Sequence, residues 1–127
     1  MRNYSKMKRI LTALTVAATM FASSASAFDP DDLQKVKDTT DCVDCDLKEA
    51  MLSGANLNNA NLNGAMLLGT YLNNANLYRA NLTNADLTQA DLDGANLTGA
   101  DLTWARMKGA TLCNTTMPNG SVIYSGC

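Results

Sequence analysis

From position 47 to position 112 a large apolar residue returns every fifth place, as in NLTNADLTQADLDGANLTGADL over residues 81–102. Of the fourteen centres in that run, thirteen are leucine and one is Met107; two places before each centre stands Ala in twelve units, with Cys45 and Thr70 in the other two. No regular element suits this spacing. On an α-helix a five-residue step turns a net of about 140°, which would scatter successive leucines around the circumference. On a straight strand an odd step sends alternate leucines to opposite faces. The pattern is satisfied only if the chain bends by the same amount in every unit, so that each Leu and each small residue before it point to a common axis. That is an all-β solenoid, whose coils stack at the strand spacing of about 4.8 Å.

The units read A[N/D]LxG or A[N/D]LxN, as in GANLNNANLNGA and NNANLYRANLTNADL. In this they resemble the pentapeptide repeat family, over about Cys42 to Asn114 and without an insertion that breaks phase. The resemblance implies a right-handed quadrilateral β-helix, four units to a square coil of twenty residues, with about three and a half coils. Periodicity alone establishes uniform turning and not the number of faces. A rod of this kind ends in apolar cross-section and unpaired backbone, so both ends need covering. Residues 28–41 supply a short capping helix and linker: Asp29 is placed as N-cap, Pro30 as the first helical residue, Asp31 and Asp32 in the first turn, and Leu33 and Val36 on one side. Residues 115–127 supply a hairpin-like cap around a Pro-Asn-Gly turn.

Ahead of these segments lie four basic residues within Met1 to Arg9, an apolar run from Ile10 to Phe21, and ASSASA ending at Ala27. This is the layout of a secretory signal peptide with Ala25-Ser26-Ala27 as its cleavage site. The alternative is an uncleaved anchor, for which an apolar run this short is a poor match to a bilayer core of about 30 Å. Cleavage leaves Phe28 to Cys127 with six basic and twelve acidic residues, a charge of 6 − 12 = −6. That sign argues against nucleic acid or anionic lipid as a partner, and cleavage leaves no membrane segment. The chain has no histidine. Catalytic systems that need one are excluded, as are histidine metal sites.

Four cysteines in an exported chain of this size suggest two disulfides formed in an oxidising compartment, whether periplasm, thylakoid lumen or the cell exterior. Given the coil that the resemblance implies, roughly 15 Å of rise separates Cys42 and Cys45 from Cys113 and Cys127. A disulfide requires Cα atoms within about 7 Å, so the pairing is Cys42 with Cys45 and Cys113 with Cys127, and a zinc site shared by all four is disfavoured. Redox catalysis at the C-x-x-C would want a cation or helix N-terminus beside the thiolate, whereas Asp41, Asp44 and Asp46 surround it. Free buried thiols are the other alternative, since Cys42 and Cys45 both fall on inward positions.

On the same implied coil, residues twenty apart are vertical neighbours. Asn56, Asn76 and Asn96 form one column, and Asn61, Asn81 and Asp101 another, which suggests ladders of mutually bonded side-chain amides. Met51 and Tyr71 share a column; Met66 lies between Asp46 and Asp86, and Leu68 between Lys48 and Thr88. Together Met51, Met66, Leu68 and Tyr71 are a candidate partner patch near the N-terminal half. The alternative is that the helix covers them or that they are scattered surface apolars. Tyr78, Arg79 and Trp104 are further large outward residues, too dispersed to form a site.

The sequence carries no catalytic constellation, no cofactor motif and no metal cluster. The expected function is therefore an exported, non-enzymatic scaffold or protein-binding module, with an unidentified protein partner and a monomer favoured. A second reading, brought by the resemblance, is mimicry of a DNA duplex to inhibit an enzyme such as gyrase. Against it, only Asp86, Asp91, Asp93 and Asp101 are acidic in the later coils. A third, a surface-binding threonine array, fails because of Thr83, Thr88, Thr98 and Thr103 only Thr83 and Thr103 share a column.

Overall fold

The computed structural model describes residues 27–124 and 127, and the candidate signal peptide lies outside the described residues apart from Ala27. Its main feature is a ladder of isolated parallel bridges between residues twenty apart, from Asp41 with Asn61 to Asn96 with Thr116. The bridging residue is always the one before a repeat centre. Its neighbours do the bonding. Leu62 N–H donates to the Asn81 carbonyl in the coil ahead at 2.8 Å, and Asn61 N–H donates to the Thr40 carbonyl in the coil behind at 2.8 Å. Each unit is thus a few residues of strand followed by a corner, and the chain lies beside itself again after four units.

Corners explain the last letter of the repeat. The residue two after each centre has positive φ throughout: Gly54, Gly64, Gly69, Gly94, Gly99 and Gly109 alternate in this role with Asn59, Asn74, Asn84 and Asn114. Left-handed backbone is least costly for Gly and next for Asn, which is why these two dominate there. Glu49, Arg79, Gln89 and Trp104 adopt it too, at φ of 56–60°.

Inside the ladder the eleven leucines at the repeat centres from Leu47 to Leu97 are at most 1% exposed, and the alanines two residues before most of them are equally enclosed. Small residues are needed at the second position because two inward side chains per unit share a narrow bore. Where a threonine stands there instead, its hydroxyl finds a carbonyl: Thr70 Oγ1 donates to Leu47 O at 2.6 Å and Thr115 Oγ1 to Leu92 O at 2.7 Å. No buried side-chain polar atom lacks a partner among the described residues.

Two regular pieces flank the ladder. Helix α1, Pro30–Thr39, starts as its sequence dictates: Asp29 extends at φ −80° and accepts the backbone N–H of Asp31, with Pro30 in the first turn. It lays fully buried Val36 and half-buried Leu33 on the first coil, beside half-buried Phe28 from just ahead of the helix. The same segment satisfies part of that coil's edge, because Asp29 N–H donates to Asp46 O at 2.9 Å and Asp32 Oδ2 accepts Asp46 N–H at 2.8 Å. At the far end β1 (Thr115–Thr116) pairs antiparallel with β2 (Val122–Ile123) across the turn at Asn119-Gly120.

The last coil departs from the expectation that every centre is buried. Leu102, Met107 and Leu112 are only partly covered, as are Ala105 and Ala110. The reason is topological. An inward residue is enclosed by the coils before and after it, and over these centres no further coil follows among the described residues.

Candidate functional site

The four cysteines are brought together in two pairs, each bonded: Cys42 with Cys45 at a Cα separation of 5.2 Å, and Cys113 with Cys127 at 5.0 Å. The first pair is buried within the opening unit, under α1. Asp32 brings a carboxylate oxygen within 4.8 Å of both sulfurs, the one metal-compatible grouping among the described residues. With the sulfurs bonded to each other there is no thiolate to ligate an ion, and one oxygen of Asp32 is already held by the Asp46 N–H.

Of the expected patch, Met51 is 64% exposed, Tyr71 45% and Met66 40%, while Leu68 is half-buried at the corner between Met66 and Tyr71. Met51 and Tyr71 are direct bridge partners. Met66 stands in the adjoining column between Asp46 and Asp86. The helix does not cover these residues; it spends its apolar side on the mouth of the bore. Next to Met51 an open groove of about 350 Å³ runs along the N-terminal edge, lined by Lys37, Met51, Leu52, Ser53, Ala55, Asn56 and Leu57. In the later coils the N–H of the bridging residue donates to the coil behind. In the first coil the N–H groups of Met51 and Asn56 have no backbone acceptor among the described residues, because α1 reaches only as far as Asp46. Sequence reasoning missed this groove, since the four residues named for the patch include just one that lines it.

The polar columns behave differently from the amide ladders expected. One amide bond does run along the axis, from Asn81 Nδ2 to Asn61 Oδ1 at 3.4 Å. In the Asn56 column, however, each side-chain oxygen turns back on its own chain and accepts the N–H two residues ahead: Asn76 from Tyr78, and Asn96 from Thr98 at 3.0 Å. Asp86, Asp91 and Asp101 do the same. A carboxylate or amide oxygen on a short side chain, three bonds from its own Cα, reaches the N–H that begins the corner. That is the physical content of the N or D in the repeat, and the run of A[N/D]L units was the signal for it. Where Thr follows, its hydroxyl adds a second donor. The Thr88 hydroxyl holds the Asp86 carboxyl below the usual carboxylate range against the opposing effect of burial, and the Thr88 N–H and then Arg106, 3.7 Å away, add smaller contributions in the same direction as the hydroxyl. The Thr103 hydroxyl and N–H do likewise for Asp101.

Tyr78 and Arg79 form a local cation–π contact at 5.2 Å, and Trp104 is 82% exposed. Among the described residues no helix is long and apolar enough to cross a membrane.

Curated proteins give no significant match to the sequence. Among solved structures the chain is similar to HetL, a pentapeptide repeat protein involved in heterocyst differentiation regulation from the cyanobacterium Nostoc, at 35% identity over 61% of this chain with a TM-score of 0.43. It is also similar to a pentapeptide repeat protein of the Arabidopsis thaliana thylakoid lumen, at 27% identity over 57% of this chain with a TM-score of 0.34. A third likeness is to Rfr23 from the cyanobacterium Cyanothece, at 24% identity, covering 63% of this chain and 92% of that one, with a TM-score of 0.37. The chain spans 42% of the length of the first of these and 54% of the second. The family profile described as pentapeptide repeats (8 copies) matches residues 40–79 and again 75–114, more than half of the sequence. With the twenty-residue bridge ladder and its inward Leu and Ala, this establishes that the chain belongs to the pentapeptide repeat family.

Proposed function

We propose that the chain is an exported, non-enzymatic scaffold that binds a protein partner through the Met51, Met66, Leu68 and Tyr71 surface and the groove beside it. In this reading it is a right-handed square solenoid of about three and a half coils, with residues 28–41 closing the N-terminal end and residues 115–127 the other. The observation that carries the binding role is the pairing of Met51 and Tyr71, both well exposed, next to an edge whose Met51 and Asn56 N–H groups have no backbone acceptor among the described residues. Apolar side chains beside free strand hydrogen-bonding groups suit an extended segment of a partner, added as a short strand. Export is supported by the basic and apolar opening of the sequence and by the two disulfides. DNA mimicry is the weaker reading, since the Asp46, Met66, Asp86 and Arg106 column mixes charge and apolar side chains rather than repeating acids.

A photo-cross-linking residue at position 71, expressed in the native compartment, tests the binding role. A discrete protein adduct that disappears with Met51→Glu supports it; adducts unchanged by Met51→Glu, with the variant folded, reject the surface.

A further inference from the structure

Helix α1 leaves one gap in its cover. Every inward residue from Cys42 to Ala80 is buried except Ala55, which is only partly covered. Ala75 and Ala95, in the same column of later coils, are 1% exposed. Beside this gap the coil edge is open to both a donor and an acceptor. One coil on, Tyr71 shows what such an edge takes: its N–H donates to Ala50 O at 3.0 Å and its carbonyl accepts Leu52 N–H at 2.9 Å. Met51 and Asn56 hold the equivalent positions in the first coil, and neither the N–H nor the carbonyl of either has a backbone partner among the described residues. Lys37 completes the groove from the helix side. It is exposed, lies in the last turn of α1 and has no ion pair among the described residues. No acidic side chain lines the groove with it, although residues 28–49 hold eight acids.

We propose that this groove takes the carboxyl-terminal end of a partner polypeptide, an extended segment whose last residues bring an apolar side chain and a free carboxylate. The inference rests on the strand-addition reading of the proposed function and states what the added strand must be. A main chain laid along the edge gives carbonyls to the Met51 and Asn56 N–H groups and N–H groups to their carbonyls, as Ala50 and Leu52 do for Tyr71. A side chain pointing to the bore enters the space over Ala55, between Leu52 and Leu57, and leaves water there. The size suits the end of a chain. A volume of about 350 Å³ is at the small end of ligand pockets, with room for about two or three residues. A segment that ends there brings a full negative charge and two oxygens in place of one neutral carbonyl. Lys37 is the group that meets it, since an unpaired ammonium on the same groove as free N–H groups makes a charge-assisted site for a carboxylate. An internal segment would leave Lys37 without a counter-ion. A basic one would be repelled by it.

Two fluorescein-labelled hexapeptides ending in Val-Leu-Val, one as the free acid and one as the carboxamide, test this by fluorescence polarisation on the purified chain. The acid should bind with a dissociation constant on the order of 100 μM, and the amide at least tenfold more weakly. Lys37→Gln should bring the acid down to the level of the amide, whereas Lys37→Arg should hold it within about threefold of the parent. Raised salt should narrow the difference between the two peptides, because Lys37 is exposed. Ala55→Leu, which fills the gap from within, should weaken both peptides with a melting temperature unchanged or raised. Acid and amide bound equally, or an acid preference that survives in Lys37→Gln, overturns the carboxylate assignment and leaves strand addition standing. An acid bound as tightly by Ala55→Leu as by the parent overturns the groove as its seat. Neither peptide bound up to about 1 mM overturns the inference together with the strand-addition reading beneath it.

Discussion

The two ends of the bridge ladder are flanked in different ways. At the N-terminal end a ten-residue helix and the two residues before it lay three apolar side chains over the bore and lend Asp29 and Asp32 to the backbone edge, and Leu47, Leu52 and Leu57 are as buried as any in the middle. At the C-terminal end a pair of two-residue strands and a disulfide cover one side, and Leu102, Met107 and Leu112 are left half-open although the repeat treats them like the rest. Identical sequence positions therefore differ in energy according to what lies above them. In a stack where each unit touches only its neighbours, burial belongs to the interface between coils and not to the unit.

The sharpest way to break this comparison is a charge at two equivalent centres. Leu77→Asp places a carboxylate in the closed bore and should abolish folding, a loss above about 4 kcal/mol; Leu102→Asp, at the half-open end, should cost no more than about half of that in the monomer. Circular dichroism melts of both variants at low micromolar concentration read the difference. Equal losses would mean that the last coil is as enclosed as the middle.

A smaller effect should come from the disulfides. Cys113 and Cys127 close a loop of 14 residues of separation and hold the sparsely covered end, whereas Cys42 and Cys45 are three residues apart under a docked helix. The chain-entropy estimate for the longer loop is on the order of 3 kcal/mol, and the shorter loop constrains the unfolded chain much less. Cys113→Ser should thus lower the melting temperature more than Cys42→Ser, and hydrogen exchange under reduction should rise first in residues 111–117. Faster exchange in residues 41–47 instead would reverse the ranking of the two ends.

Much of this was legible in the sequence because the repeat states it directly. Leu77 and Ala75 had to point inward whatever the number of faces, and Asp29-Pro30 placed the start of α1. Vertical neighbours such as Met51 and Tyr71 needed the twenty-residue coil, which period five alone cannot supply. Other features lay below the resolution of pattern. Whether Asn76 bonds upward to another amide or back to Tyr78 N–H depends on angstrom-scale geometry that both sequences of contact would share. The exposure of Leu102 depends on how far the hairpin reaches, and the groove beside Met51 on where α1 stops; both are properties of how separate segments meet.

A corner residue gives the next prediction. Trp104→Gly removes left-handed strain that a side chain with a Cβ bears and should stabilise the monomer by about 1 kcal/mol, offset in part by the greater freedom of glycine in the unfolded chain. The matching change at the closed end, Glu49→Gly, should behave alike, since Glu49 has φ 57°. A melting temperature that falls by several degrees in dilute Trp104→Gly would show that the ring packs on its own chain.

The smallest expected effect distinguishes two aspartates in the same chemical setting. Asp86 in the middle and Asp101 at the open end both have carboxyls lowered from the ordinary value of 3.8, mainly by a threonine hydroxyl, but only Asp86 also has a cation, Arg106, beside it in its own chain. A lowered folded value means that the associated stability is fully present above the unfolded pKa and is lost as pH falls through the folded one. Melting temperature should accordingly be insensitive to these two groups above about pH 5 and decline below about pH 4. Carboxyl-carbon NMR titrations of dilute protein should move the Asp86 midpoint upward when salt is raised, because screening acts on its attraction to Arg106, and leave Asp101 nearly fixed, because hydrogen bonds from Thr103 are local.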